Sequence, residues 1–252
     1  MAKNISYQTD KIAQFFSVNR ISWSQFYESE KKIINELRLE ADDQVLDIGC
    51  GCGGLGLALK EQFNIHDYTG VEINALAAAA ARKLNPDANI LFGDILALDL
   101  EALQGKTYDV VFSLSCIDWN VEFSKMLNAS WAHVNPGGHM VATFRLTPEQ
   151  GCADASKSYQ FINYDGLLEG EEAAYVVLNI DSLLNQIMQF DPAEIKAFGY
   201  WGPPSVTAVT PYDKLCFTAI AIQKRNLGQV GKTQLSLNFP PELLAVINGK
   251  VP

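Results

Sequence analysis

The chain has 252 residues, of which 48% are hydrophobic and 10% aromatic, enough for one full α/β core with an added cap. It carries 19 basic and 29 acidic residues, and its net charge of −10 disfavours a nucleic-acid partner. No stretch approaches the roughly 20 apolar residues of a membrane span, and residues 1–10 lack the apolar core of a signal peptide. We therefore expect a soluble cytoplasmic protein without a membrane partner.

Aromatic and charged residues recur at helical spacing in the first part of the chain, which predicts an N-terminal helical cap over residues 1–40 with a helix at 29–37. The five cysteines are an odd number and lack the spacing of a disulfide framework. Cys50 and Cys52 form a C-x-C pair, but no second cysteine or histidine cluster completes a metal site. We expect reduced thiols and no bound metal.

A glycine-rich turn follows the first predicted strand, which ends at Asp47 and Ile48. The glycines and the helix-forming residues after them predict a strand, a tight turn and a helix. Gly49, Gly51 and Gly54 also fit the G-x-G-x-x-G spacing of dinucleotide-binding proteins. A carboxylate at position 47 would repel a pyrophosphate, whereas it suits a cofactor with a cationic amino-acid end.

The residues 45–53 resemble motif I of the class I S-adenosylmethionine (SAM) dependent methyltransferases, h-h-D-h-G-x-G-x-G, where h is hydrophobic. The resemblance extends over residues 41–145, in which three successive predicted strands end in an acid: Asp47, Glu72 and Asp94. It implies that SAM is the cofactor and S-adenosylhomocysteine (SAH) the product.

The same resemblance assigns roles to individual residues. Glu72 would accept hydrogen bonds from both ribose hydroxyls, Asp94 would accept one from the adenine amino group, and the N–H of Ile95 would donate to the ring. The cofactor-binding residues predicted in this way are Asp47, Gly49, Cys50, Gly51, Gly53, Glu72, Ile73, Asp94, Ile95 and Ser115.

Helices that alternate with apolar strands require a parallel sheet whose ligands sit at the carboxyl ends of its strands. We predict an α/β, Rossmann-like fold: a seven-stranded, mostly parallel sheet with helices on both faces, formed by residues 41–225. A turn at 135–138 precedes the fifth strand, and a substrate-binding insertion at 147–175 follows it. The tail, residues 226–252, is either an extra edge strand or an arm onto the partner subunit of a homodimer.

Methyl transfer requires alignment of the acceptor and, for an amine or hydroxyl, a base in some cases. His66, His133 and His139 are all predicted at the amino edge of the sheet, away from the cofactor. Asp118, after strand four, is predicted either as a base or anchor for a substrate amine, or as the cap of the next helix. Tyr164, in the insertion, is the other predicted catalytic residue.

Four residues near the carboxyl edge are predicted to bind the substrate: Trp119, Arg145, Tyr159 and Trp201. The planar fork of Arg145 suits a carboxylate or phosphate, with pairing to a nearby acid as the equal alternative. The aromatic rings suit stacking or a bound cation, with core packing as the alternative. In the cap, Tyr7, Trp23 and Tyr27 either line the pocket or pack on the flank of the domain.

Three hypotheses for the function follow. The first is methyl transfer from SAM to an O or N atom of a small molecule. The second, from the G-x-G-x-x-G match, is an NAD-dependent oxidoreductase. The third keeps the fold without methyl transfer, as an aminopropyltransferase or a non-enzymatic SAM-binding protein.

Overall fold

The structure is a computed structural model that describes residues 13, 16–97, 101–163 and 165–247, so Tyr7 and Tyr164 lie outside it. The helices are α1 (Glu28–Asn35), α2 (Gly54–Phe63), α3 (Ala75–Leu84), α4 (Phe123–Ala132), α5 (Ile180–Met188) and α6 (Pro241–Ile247). The strands are β1 (Val45–Ile48), β2 (Tyr68–Glu72), β3 (Asn89–Phe92), β4 (Tyr108–Ser113), β5 (Val134–Thr147), β6 (Tyr159–Phe161), β7 (Glu172–Ala174), β8 (Leu178–Asn179), β9 (Glu194–Gly202), β10 (Ala208–Val209), β11 (Leu215–Gln223) and β12 (Gln234–Asn238). Short 3-10 turns occupy Trp23–Gln25, Glu101–Leu103 and Ile117–Trp119.

The main sheet has the order β12-β9-β11-β5-β4-β1-β2-β3. The first five strands are parallel to one another, and β11 runs antiparallel to both of its neighbours. This is the predicted Rossmann-like arrangement of a mostly parallel sheet. Each residue of β1 and β2 is buried, as expected for parallel strands covered on both faces.

The sheet of the described residues has nine strands rather than the predicted seven, because β8 and β12 are added to it. The strand β8 pairs with the end of β5, and β12 pairs in parallel with the edge strand β9. The first alternative for the tail, an extra edge strand, is therefore the one found in this chain.

Helices cover both faces of the sheet and enclose two separate cores. On one face, Ile33 and Ile34 of α1 and Leu59 of α2 are buried with apolar residues of the central strands. On the other face, α4, α5 and α6 contribute buried residues such as Leu127, Leu183 and Leu243. No helix of the described residues is long and apolar enough to cross a membrane.

The predicted turn at 135–138 lies inside β5 instead of before it. The pairing of β4 with β5 shifts register between Tyr108 and Val110, and Gly137 has a φ of +83°. A glycine adopts that backbone conformation without the strain of a Cβ atom, so these residues form an irregularity in a longer strand.

A second, three-stranded sheet lies beyond the carboxyl end of β5, in the order β10-β6-β7. The predicted insertion supplies β6 and β7, and the loop between β9 and β11 supplies β10. This small sheet brings the insertion to the edge of the main sheet where β1, β2 and β4 end.

Candidate active site

Two adjoining cavities lie at the carboxyl ends of β1, β2 and β4. The larger, about 510 Å³, lies between the glycine turn, β6 and residues 16–22, which we call the N-terminal strap. The smaller, about 100 Å³, lies next to the end of β3. Both cavities are lined by Gly49, Glu72, Ser115 and Trp119, so these four residues mark the passage between them.

The glycine turn forms the floor of the larger cavity. Gly51 has a φ of +55°, and a Cβ atom built on it would meet nothing within 4 Å, because that position faces open space in the cavity. At Gly49 the same atom would lie 2.4 Å from Sγ of Cys116. The turn therefore exposes bare backbone to a ligand at position 51, while position 49 lacks space for any side chain.

Glu72 ends β2 between the two cavities. Its Oε2 accepts a hydrogen bond from the N–H of Gly51 at 2.8 Å, and its Oε1 accepts one from the N–H of Asn74 at 2.7 Å. Burial raises the pKa of the Glu72 carboxyl group, and the backbone donors oppose this rise. The two hydrogen bonds from the backbone fix the Glu72 side chain in place without a ligand.

Asp47 is buried near the end of β1 and lines the larger cavity. The hydroxyl of Tyr68 donates to its Oδ2 at 2.6 Å. Burial raises the pKa of Asp47 to about 7, although Tyr68 and the charge of Arg20 favour the ionised form. A cationic group bound in this cavity would strengthen the ionised form further.

The smaller cavity contains the residues predicted to hold the adenine ring. It is lined by Ile73, Asp94 and Ile95 together with apolar side chains such as Val71 and Met126. Oδ1 of Asp94 accepts from the N–H of Leu96 at 2.9 Å, which orients its carboxylate. A narrow apolar slot with one acidic side chain suits a flat ring that carries an amino group.

Ser115 adopts a left-handed backbone conformation, with a φ of +51°. Its N–H donates to Oγ1 of Thr143 at 2.6 Å, and the residue lines both cavities. A non-glycine residue in this conformation costs of order 1 kcal/mol and is enriched at functional sites.

Nine of the ten predicted cofactor-binding residues line one or both cavities. The exception is Gly53, which is the N-cap of α2 with a φ of +77°. Gly53 instead shapes the backbone of the turn. It is the last of three alternating glycines with positive φ, and α2 begins at the next residue.

Asp118 and Arg145 are not lining residues of either cavity, although the neighbouring Trp119 lines both. Both side chains are buried, Nη2 of Arg145 lies 3.4 Å from Oδ2 of Asp118, and Nη1 donates to the backbone carbonyl of Asp118 at 2.7 Å. The guanidinium group lies 4.3 Å from the ring centre of Trp119 and 3.8 Å from that of Tyr175. Pairing of Arg145 with a nearby acid, the alternative left open by the sequence, is what the structure contains.

Asp118 also does not cap the following helix. It lies inside the 3-10 turn Ile117–Trp119, and α4 begins later, at Phe123. Burial raises the pKa of Asp118, and the charge of Arg145 opposes the rise. This placement rules out the role of helix cap, whereas the role of Asp118 as a base or substrate anchor stays a prediction.

Tyr159 and Trp201 also lie outside the lining of the two cavities. Tyr159 packs edge-on against Phe161 on the small sheet, and Nε1 of Trp201 donates to Oε2 of Glu242 at 3.2 Å. Trp119 is the predicted substrate-binding residue that does line both cavities.

Several cavity residues were not predicted from the sequence. The strap contributes Phe16, Asn19 and Arg20, and β6 with the residues after it contributes Gln160 and Ile162. None of these residues belongs to a motif, so their position depends on how distant segments fold onto the sheet. Side chains alternate between the two faces of a strand, so Gln160 lies on the opposite face of β6 from Tyr159 and Phe161.

Of the cap aromatics, Tyr27 lines the larger cavity, whereas Trp23 packs against Phe63 with 5.3 Å between ring centres. The three histidines are absent from the lining of both cavities. In the described part of the chain, no three histidine, cysteine or acidic side chains come together as a metal site.

Burial raises the pKa of Cys52 to about 11 and that of Cys116 to about 12, so these thiols are poor nucleophiles.

A mostly parallel sheet with carboxylates at the ends of β1, β2 and β3 around a glycine turn defines the Rossmann-like class of SAM-dependent methyltransferases. Residues 46–140 match the sequence model of a family described as a methyltransferase domain. The match covers 95 of the 252 residues, from the second residue of β1 into β5.

Known proteins of this kind resemble the chain over part of their length. Phosphoethanolamine N-methyltransferase 1 of Arabidopsis thaliana is 22% identical over 141 residues, which are 55% of this chain and 28% of that protein. Trans-aconitate 2-methyltransferase of Deinococcus radiodurans is 32% identical over 97 residues, which are 38% of this chain and 35% of that protein. The chain thus matches about a third of the length of such curated relatives.

A solved structure of phosphoethanolamine N-methyltransferase 2 of Haemonchus contortus, in complex with SAM, has the same fold. It aligns with a TM-score of 0.60 at 14% identity and covers 87% of this chain and 59% of that one. The likeness therefore extends well beyond the 95 residues of the family match.

Proposed function

We propose that the chain transfers the methyl group of SAM to an O or N atom of a small-molecule acceptor. The observation that carries this proposal is the placement of Asp47, Glu72 and Asp94 at neighbouring strand ends around two joined cavities. Acidic side chains in these positions favour a cationic nucleoside over a diphosphate. When bound, SAM supplies an electrophilic methyl group on a sulfonium.

The cavity residues fit SAM in its separate parts. The smaller cavity accepts a flat ring beside Asp94, and Glu72, at the passage between the cavities, has the carboxylate that a ribose diol needs. The larger cavity then receives the amino-acid part, next to Asp47 and the open backbone of Gly51. The residues therefore divide between the cavities in the order of the parts of one SAM molecule.

The acceptor is proposed to enter the larger cavity, between the strap and β6. That cavity is of the size typical for small-molecule sites, and Trp119, Phe16 and Ile162 give it apolar walls. Residues of this kind exclude water and hold the acceptor in line with the reacting group, which is the main task of the protein in this displacement. The amide of Gln160 offers a hydrogen-bonding group that could select the acceptor.

The NAD hypothesis is weaker for two physical reasons. A diphosphate in the larger cavity would lie near the carboxylate of Asp47, which is unfavourable. The space beside Gly54, the third glycine of the dinucleotide spacing, is filled by the carbonyl of Arg20, which lies 2.0 Å from an ideal Cβ at that position. The glycine at 54 is thus explained by chain packing without a pyrophosphate.

Isothermal titration calorimetry with SAM, SAH and NADH tests the proposal. We expect heat of binding with SAM and SAH and none with NADH; binding of NADH alone would favour the oxidoreductase. Methyl transfer is then tested by incubating the protein with SAM labelled in the methyl group and a cell extract. Transfer of an aminopropyl group, or binding without any turnover, would support the third hypothesis instead.

The ribose assignment has its own variant. Glu72→Ala removes the carboxylate proposed to accept two hydrogen bonds from the ribose hydroxyls, and we expect SAH affinity to fall on the order of tenfold or more. Glu36→Ala, at an exposed acid at the end of α1, is the matched control and should bind SAH like the unmodified protein. Equal affinities of the Glu72 variant and this control would show that the ribose lies elsewhere.

A further inference from the structure

The N-terminal strap brings one cationic side chain to the cavities, that of Arg20. Among the described residues that line them, Arg20 is the only lysine or arginine. It shares the larger cavity with Asp47 and is not a lining residue of the smaller one. A positive charge is therefore present at the end of the site remote from Asp94.

The backbone of Arg20 is fixed against the start of α2. Its φ is +61°, an unfavourable conformation for a residue with a side chain, and its carbonyl lies 2.0 Å from an ideal Cβ at Gly54. That approach is available only because residue 54 is glycine. The strap is thus packed on the glycine turn itself, and strain of this kind is typical of functional sites.

The guanidinium group of Arg20 is oriented from three sides. Its Nη2 lies 2.9 Å from Oε1 of Glu30, a fully buried residue whose Oε2 accepts from the N–H of Tyr27 at 2.8 Å. Its central carbon lies 4.5 Å from the ring centre of Phe26 and 4.9 Å from that of Tyr27. These contacts provide no hydrogen-bond acceptor for the other terminal nitrogen.

That nitrogen, Nη1, is buried and has no hydrogen-bond partner among the described residues. A buried charged donor without an acceptor is unfavourable, and it is unusual in a side chain that is otherwise so well held. Since Arg20 lines the larger cavity, an anionic ligand atom that reaches Nη1 from there would give it the acceptor that it lacks.

We propose that Arg20, oriented by Glu30, binds the carboxylate of the amino-acid part of the cofactor. This inference rests on the proposed function, which places that part of SAM in the larger cavity. The two ends of the amino acid then meet opposite charges, with the ammonium group near Asp47 and the carboxylate at Nη1 of Arg20. Without Arg20, a carboxylate would face Asp47 and Glu72 with no compensating charge.

Calorimetry with two ligands isolates the carboxylate. The ligands are SAH and S-adenosyl-3-thiopropylamine, which is SAH without its carboxylate. For Arg20→Gln we expect the SAH affinity to fall on the order of 10- to 100-fold and the affinity for the amine to stay within about twofold. Arg20→Lys, which keeps the charge but not the fork, should give an intermediate loss for SAH.

Arg225→Gln is the matched control, because Arg225 pairs with Asp191 and is not a lining residue of either cavity. The amine also reports whether each variant keeps a folded cofactor site. If Arg20→Gln binds SAH as tightly as the unmodified protein does, or loses both ligands equally, the inference is wrong. A failure of the unmodified protein to bind SAH at all would overturn the proposed function, and this inference with it.

Discussion

Buried carboxylates in β1 and β2 give the protein a specific pH response. The pKa of Asp47 is about 7 in the folded chain against an ordinary value of 3.8, and the pKa of Glu72 is raised as well. Between pH 3.8 and about pH 7, the folded chain therefore retains a proton on Asp47 that the unfolded chain has already released. The contribution of protonated Asp47 to the free energy of unfolding is fully present below about pH 4 and is lost as the pH rises through about 7.

We therefore expect the free energy of unfolding of the ligand-free protein to fall between pH 5 and pH 8, as measured by urea denaturation. Asp47→Asn removes one titrating group and should make this pH dependence shallower. Binding of SAH should counteract the trend, because its ammonium group favours the ionised carboxylate. Identical pH slopes for the variant and the unmodified protein would contradict the assignment.

The buried ion pair of Arg145 and Asp118 lies next to Trp119, a residue that lines both cavities. Arg145 joins the end of β5 to the loop after β4 through the carbonyl and carboxylate of Asp118, and it lies against the ring of Trp119. Arg145→Met should leave a buried carboxylate without its cation and lower the free energy of unfolding by about 3–5 kcal/mol.

The double variant Asp118→Asn with Arg145→Met tests whether charge is the cause. Once both charges are removed, no uncompensated ion remains, so we expect the double variant to be more stable than Arg145→Met alone. Urea denaturation of the three proteins measures the difference. Equal losses would show that Arg145 contributes through packing instead.

At the scale of elements, the strap and α2 form one unit. Gly54→Ala would place a methyl group 2.0 Å from the carbonyl of Arg20, and a backbone atom cannot easily give way. Alanine favours the helix by up to about 1 kcal/mol, so the helix should persist while the strap is displaced. We expect weaker SAH binding and faster trypsin cleavage after Arg20, followed by mass spectrometry; unchanged cleavage would argue against this packing.

Sequence patterns predicted that three acidic residues meet at one edge of the sheet, because each of them stands at or next to the end of its own strand. Asp47, Glu72 and Asp94 follow apolar runs, and parallel strands bring such ends together without further information. The acceptor side could not be predicted in this way. Whether Asp118 faces the cavity depends on Arg145, a residue 27 positions away that donates to its backbone.

At the scale of the whole molecule, the C-terminal tail is part of the main core. Phe239, Leu243 and Ile247 are buried against the same face of the sheet as α5. The sequence left the tail open between an edge strand and an arm onto a partner, because a short alternating strand suits either neighbour. The parallel pairing of β12 with β9 then determines the edge of the sheet.

This arrangement predicts that the tail contributes directly to the stability of the domain. Phe239 is 6% exposed and its ring lies 3.1 Å from an ideal Cβ at Gly199, so Phe239→Ala removes a ring that fills the space beside a glycine. We expect a loss of about 3–5 kcal/mol in the free energy of unfolding, measured by urea denaturation. Leu235→Ala, at a position of β12 that is 37% exposed, is the matched control and should cost less than about 1 kcal/mol. Similar small losses for both variants would mean that the tail packs on the domain without supporting its core, whereas a large loss for Phe239→Ala alone would make the last strand and helix a required part of the fold.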